Sequence, residues 1–154
     1  AYQAIANGGV HTPLTLVTGC DRADGSTTHV AASEPTRVVS ESAARATVGI
    51  LEEVVTEGWL RPILEIPGYR VAAKTGTAEV ADASGYGDER IVSVAGMAPA
   101  DDPQFVVVVT YVRPDTMKTS AAAAPTFRTI MTQVLKTYRV PPSTQQATAY
   151  PLTW

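Results

Sequence analysis

The stretch VAAKTGTAEV, residues 71–80, decides how the chain is read. It opens like a buried strand with Val71-Ala72-Ala73. An ammonium group follows at Lys74, hydroxyls at Thr75 and Thr77, a bare Gly76 between them and a carboxylate at Glu79. A lysine costs free energy to bury unless it is paired, so Lys74 is either on a rim or at work. Extended backbone alternates its side chains, which puts Lys74 and Gly76 on one face and Thr75, Thr77 and Glu79 on the other. Twist and an edge position can still bring them to one groove. Such a group suits acyl transfer on a substrate that ends in a carboxylate. The ammonium supplies a positive field and steers a proton, and the hydroxyls bind the carboxylate. Gly76 leaves room for substrate backbone, and an edge N–H can donate to an oxyanion. A protective lysine on a solvent-exposed edge strand accounts for the same residues. A K-[ST]-G triplet alone arises by chance in roughly one chain in fifteen of this length.

The flanking sequence sets this strand in an order of elements. AYQAIANGG (1–9) reads as the last two turns of a helix closed by Gly8-Gly9, with no N-cap before it. On that ground the chain is expected to be the C-terminal part of something longer. TPLTLVTGC (12–20) and STTHVAA (26–32) are short β-prone runs around Asp24-Gly25, a hairpin signal. Ser40 caps a helix through about Glu57, with Ala44, Val48, Leu51 and Val55 at helical spacing and Gly58 as its stop. GYRVAAKTGTA (68–78) is a strand, and the polar, glycine-rich DASGYGD (82–88) a loop. RIVSVAGMAP (90–99) and QFVVVVTYV (104–112) are two more strands joined by ADDP. Short connections with no helix between them predict antiparallel pairing. FVVVV is apolar on both faces, so that strand is expected to be covered on both sides, by helices of this chain and of upstream sequence. TFRTIMTQVLKTY (126–138) is a helix with Phe127, Ile130, Met131, Val134 and Leu135 on one stripe, Pro125 standing where a first helical turn tolerates it and Pro141-Pro142 ending it. The fold class is therefore α+β, an antiparallel sheet with helices on both faces.

Composition narrows the function. Hydrophobic residues at 45% and charged ones at 18% argue for a folded body over 154 residues. A net charge of −3, without a basic cluster, gives no reason to expect nucleic acid. The lone Cys20 cannot form an internal disulfide or a cysteine metal site, and His11 and His29 lack the spacing of a metal pair. No apolar run reaches the roughly 18 residues that span a membrane.

The Lys-Thr-Gly triplet has company. K-T-G belongs, with S-x-x-K and S-D-N, to the motifs of penicillin-binding proteins. Here it extends to Lys74-Thr75-Gly76-Thr77-Ala78, with IPGYRVA (66–72) ahead of it. VAGMAPADDPQFVVVVTYVRP (94–114) and SAAAAPTFRTIMTQVL (120–135) follow in order. In these segments, and in AYQAIANGG as the helix after the second motif, the sequence resembles the class B penicillin-binding proteins of the septal cell-division type. The resemblance implies that residues 1–138 are the C-terminal part of a penicillin-binding transpeptidase domain and that 139–154 are a tail.

The departures are specific. No S-x-x-K exists, because Val71, Asp115 and Gln133 stand three before Lys74, Lys118 and Lys136. No S-x-N exists either, since the only asparagine, Asn7, has Ile5 two before it. The resemblance therefore places the nucleophilic serine upstream. Glu79 stands where many relatives carry Gln, and it either faces the anion site, faces solvent or pairs with an arginine such as Arg90. VVTEGWL (54–60) lacks the Gly-Thr-Gly common after this helix.

The resemblance implies a serine D,D-transpeptidase that cross-links peptidoglycan stem peptides through an acyl-serine and is acylated by β-lactams, with no metal or organic cofactor. Lys74 and Thr77 would be catalytic, and Thr75, Gly76 and Thr77 would hold the substrate. Partners would be stem peptides, β-lactams, the upstream half of the domain and division-machinery proteins. The expected location is the extracytoplasmic face of the cytoplasmic membrane, through an anchor outside this chain. Two other classes stay open: a D,D-carboxypeptidase or β-lactamase-like hydrolase, and a non-catalytic division scaffold.

Overall fold

The structure, a computed structural model, describes residues 1–31, 33–82 and 85–147. Its centre is a three-stranded antiparallel sheet in the order β5 (Ala72–Asp82), β6 (Gly85–Ala98), β7 (Phe105–Val112). Helix α1 (Tyr2–Ala6) closes on Asn7 and Gly8, the latter at φ 59°. The Gly8 N–H reaches the Ile5 carbonyl and the Gly9 N–H the Ala4 carbonyl, a reciprocal closure that a left-handed residue makes possible. Strand β1 (Val10–His11) pairs with β4 (Thr36–Arg37). Between them β2 (Gly19–Asp21) and β3 (Thr27–His29) form the expected hairpin. The Asp24 carboxylate accepts from the Ser26 amide and hydroxyl and shapes its turn.

Helix α2 (Glu41–Thr56) starts where the sequence puts it. The Ser40 hydroxyl accepts the Ala43 N–H at 3.1 Å, and Ala44, Val48 and Val55 are buried. A short helix α3 (Arg61–Leu64), absent from the sequence reading, turns the chain into β5 (Ala72–Asp82). Strands β6 (Gly85–Ala98) and β7 (Phe105–Val112) complete the sheet. Helix α4 (Ala124–Thr137) takes Pro125 into its first turn, as the sequence reading has it.

Helices pack on both sheet faces, but Val108 and Val112 of β7 are 58% and 65% exposed, so that strand is not covered on both sides among the described residues. Ala73, Val94 and Val109 pack with Phe127, Met131 and Leu135 of α4 and with Leu64 of α3. Ala72 and Met97 pack on the other face against Val48 of α2 and Tyr2, Ile5 and Ala6 of the α1 segment. The α+β layering follows from this division.

Two expectations are corrected. DASGYGD is not a loop throughout: Ala81 pairs with Tyr86 and Asp82 with Gly85, so Gly85–Asp88 belong to β6. Backbone ladder bonds hold this polar arm without an apolar pattern to announce it. Ala83 and Ser84 lie outside the described residues. Ile130 is 41% exposed and leaves the α4 stripe. At 100° per residue it falls well to one side of the line through Phe127, Met131 and Leu135.

Helix α4 ends before the prolines. Arg139 adopts φ 53°, the Val140 N–H meets the Leu135 carbonyl and the Arg139 N–H meets that of Lys136. The segment beyond returns to the body. The Tyr69 hydroxyl donates to the Val140 carbonyl at 2.7 Å and the Ser143 N–H to the Gly68 carbonyl at 2.9 Å.

Candidate active site

Strand β5 pairs with β6 on one side and has no strand on the other, so the Lys74–Thr77 stretch lies along a free sheet edge among the described residues. Lys74 and Thr77 are exposed, and Thr75 and Gly76 half-buried. The Lys74 ammonium donates to the Thr75 carbonyl at 2.8 Å. Among the described residues the Thr75 and Thr77 hydroxyls have no hydrogen-bond partner and remain available to a ligand. Register places Thr75 across from Val94 and Thr77 across from Val92, both fully buried residues that seat the strand. The apolar lead-in Val71-Ala72-Ala73 is buried, which brings the polar stretch to the surface as soon as the core is filled.

Gly76 lies across from Ser93, and a Cβ built on Gly76 would stand 2.7 Å from the Ser93 hydroxyl oxygen. On that face of the ladder the Ser93 hydroxyl thus occupies the space that a side chain at 76 would take. Sequence reasoning missed Ser93, and only the strand register could have found it.

Glu79 pairs across the ladder with Arg90. Its carboxylate lies 3.0 Å from the Arg90 guanidinium, so the arginine-pairing alternative is the one the structure adopts. The register shifts just beyond this pair: Val80 alone separates Glu79 from Ala81, whereas Gly87, Asp88 and Glu89 separate Arg90 from Tyr86. The β6 arm therefore bulges beside the site. Arg90 folds over the bulge and donates to the carbonyls of Gly87 at 2.5 Å and Glu89 at 3.0 Å.

Behind the lead-in, Glu52 of α2 takes Arg70 in a two-pronged pair, both contacts at 2.6 Å. The Glu52 side chain is 4% exposed and that of Arg70 20%. The Glu52 carboxylate raises the Arg70 pKa through its hydrogen bonds; partial burial opposes this, and the charges of Glu52 and Asp101 add to the rise. The Arg70 N–H donates to the Ser143 hydroxyl, which donates to Asp101. The sequence carried a signal for Glu52: it falls between Val48 and Val55 on the buried stripe of α2, where an unpaired carboxylate has no place. Among the described residues no three His, Cys, Asp or Glu side chains gather as a metal site requires.

The Lys-Thr-Gly run, one of the motifs of the penicillin-binding proteins, here lies on the free edge of an antiparallel sheet that helices flank. Residues 1–132 match the penicillin binding protein transpeptidase domain. The chain belongs to that family. Penicillin-binding protein PbpB of Mycolicibacterium smegmatis is 32% identical over 166 residues, covering 96% of this chain and 26% of that protein. Peptidoglycan D,D-transpeptidase FtsI of Escherichia coli is 34% identical over 144 residues, covering 92% and 23%. A crystal structure of penicillin binding protein 3 from Mycobacterium tuberculosis, complexed with ampicillin, aligns with a TM-score of 0.81 at 32% identity, over 94% of this chain and 34% of that one. The chain spans about a quarter of the length of the curated relatives it matches.

Proposed function

We propose that this chain supplies the Lys-Thr-Gly edge of a peptidoglycan D,D-transpeptidase and works with a nucleophilic serine outside it. The observation that carries the reading is the Lys74-Thr75-Gly76-Thr77 run, which among the described residues lies on an unpaired strand edge with both threonine hydroxyls unengaged. Residues 1–138 would belong to the transpeptidase domain, with 139–154 as its tail.

In this reading the serine oxygen bonds to the penultimate D-Ala carbonyl carbon of a stem peptide. The peptide C–N bond breaks, and the terminal D-Ala leaves as an amine that takes up the serine's proton. The amine of a second stem then displaces the serine and forms the cross-link. Lys74 organises proton movement and the positive field, Thr75 and Thr77 hold the terminal carboxylate, and the Thr77 N–H donates to the oxyanion. Gly76 keeps the edge open. A β-lactam enters by the same route, its ring amide opening as the serine ester forms.

No helix among the described residues is long and apolar enough to cross a membrane. The proposed location is the outer face of the cytoplasmic membrane, through an anchor outside these residues. Division-machinery proteins are the proposed partners.

The test uses the full-length polypeptide and a fluorescent penicillin. It should label covalently and survive a denaturing gel, whereas residues 1–154 alone should not. Lys74→Ala should slow acylation by roughly two to four orders of magnitude. A near-normal rate in a folded Lys74→Ala protein, or a stable covalent band on residues 1–154, overturns the assignment.

A further inference from the structure

The bulge at the end of the site has an electrostatic role that rests on the carboxylate-binding reading of Thr75 and Thr77. Glu79 shares a strand face with both threonines and lies roughly 7 Å beyond Thr77 along β5. An uncompensated carboxylate there opposes the anion that the threonines are proposed to hold. Three observations show how the chain compensates it. Arg90 stands directly across the ladder and meets the Glu79 carboxylate at 3.0 Å. Its guanidinium is held in place, because one nitrogen donates to both the Gly87 and Glu89 carbonyls, groups that the bulge removes from the ladder. The neighbouring cation Arg113 is engaged elsewhere, with Glu89 at 2.7 Å, and its N–H fastens β7 to the Arg90 carbonyl at 2.8 Å. Among the described residues Arg90 is thus the counter-charge of Glu79.

We propose that Arg90 is a specificity-determining residue, which the β6 bulge holds against Glu79 so that the Thr75–Thr77 edge accepts ligands with a free carboxylate. The pair is balanced. Removing Arg90 leaves a negative charge beside the anion, and removing Glu79 leaves a positive one. Removing both restores neutrality. Opposite signs in the single variants and cancellation in the double are what a purely structural pair would not give.

The experiment measures second-order acylation of the full-length polypeptide by benzylpenicillin and by its neutral methyl ester. With the free acid at low salt, Arg90→Gln should slow acylation about two- to fivefold and Glu79→Gln should speed it by a similar factor. The double variant should lie within about twofold of the parent. At about 1 M salt, where the screening length falls to roughly 3 Å, the single effects should shrink toward unity. The ester should respond to none of the three, and melting temperatures verify that each variant is folded. Equal losses with acid and ester, no change with either, or a double variant as slow as Arg90→Gln overturns the proposal. Thr75→Ala and Thr77→Ala separate the two levels. If they erase the preference for the acid while Arg90→Gln does not touch it, Arg90 alone is misassigned. If they too leave the preference intact, the carboxylate site lies elsewhere and the underlying reading falls with this one.

Discussion

The Ser93 hydroxyl fills the space in which a side chain on Gly76 would begin. The two residues face each other across the β5–β6 ladder, and a Cβ at 76 would come within 2.7 Å of that oxygen. Gly76→Ala should therefore destabilise the protein by about 1–3 kcal/mol through overpacking alone. Ser93→Ala removes the obstructing atom, so the double variant should recover about 1 kcal/mol relative to the sum of the singles. Urea denaturation of the four proteins measures this coupling. Strict additivity would mean that the glycine is needed for some other reason.

The Glu52–Arg70 pair joins α2 to the lead-in of β5, four residues before Lys74. Breaking one partner strands the other charge in a mostly buried setting. Glu52→Ala should cost about 3 kcal/mol. Glu52→Leu with Arg70→Leu should be much less damaging than either alone, since it removes both charges together. Denaturant midpoints report the comparison, and equal damage in single and double variants would refute it.

What was legible in the sequence is what rests on local chemistry. The Ser40 cap and the spacing of Ala44, Val48 and Val55 define α2 within a few turns, and the structure returns it nearly unchanged. The apolar runs at 90–99 and 104–112 likewise declare two of the sheet strands. Relations that depend on register were not legible. Nothing near Gly76 points to Ser93, and nothing in DASGYGD distinguishes a polar strand arm from a loop, because its hydrogen bonds are made by backbone. The Glu79–Arg90 pair was legible only as one of several options. Choosing among them needed the ladder.

Helix α4 closes with Arg139 in the left-handed region at φ 53°, in the position that Gly8 occupies after α1 at φ 59°. A side chain there carries a steric cost that glycine does not. Arg139→Gly should stabilise the protein by about 0.5–1 kcal/mol, the glycine's extra unfolded-state entropy having been subtracted. A thermal melt checks the sign, and a lower melting temperature would show that the arginine side chain contributes more than its backbone strain costs.

The Asp24 carboxylate is held below the ordinary aspartate pKa, first by the Ser26 hydroxyl and then by the Ser26 N–H. A depressed folded-state pKa means stability that is fully present above the unfolded value and lost as pH falls through the folded one. The β2–β3 turn should accordingly loosen only on acidification into the carboxylate range. Carbon-detected NMR of Asp24 gives the titration directly. Ser26→Ala should move it back toward the usual value, and an unmoved midpoint would disprove the assigned cause.

The fastening of Ser143 to the Arg70 amide and the Asp101 carboxylate closes a loop of more than seventy residues. Contacts of that sequence separation form late, because the chain between them must first lose its freedom. They are also the ones a folded protein can release without dissolving its sheet. The Arg70 N–H then becomes a natural clock. Its hydrogen exchange times the peeling of residues 140–143 from the body, separately from the slower opening that frees the amides of β6.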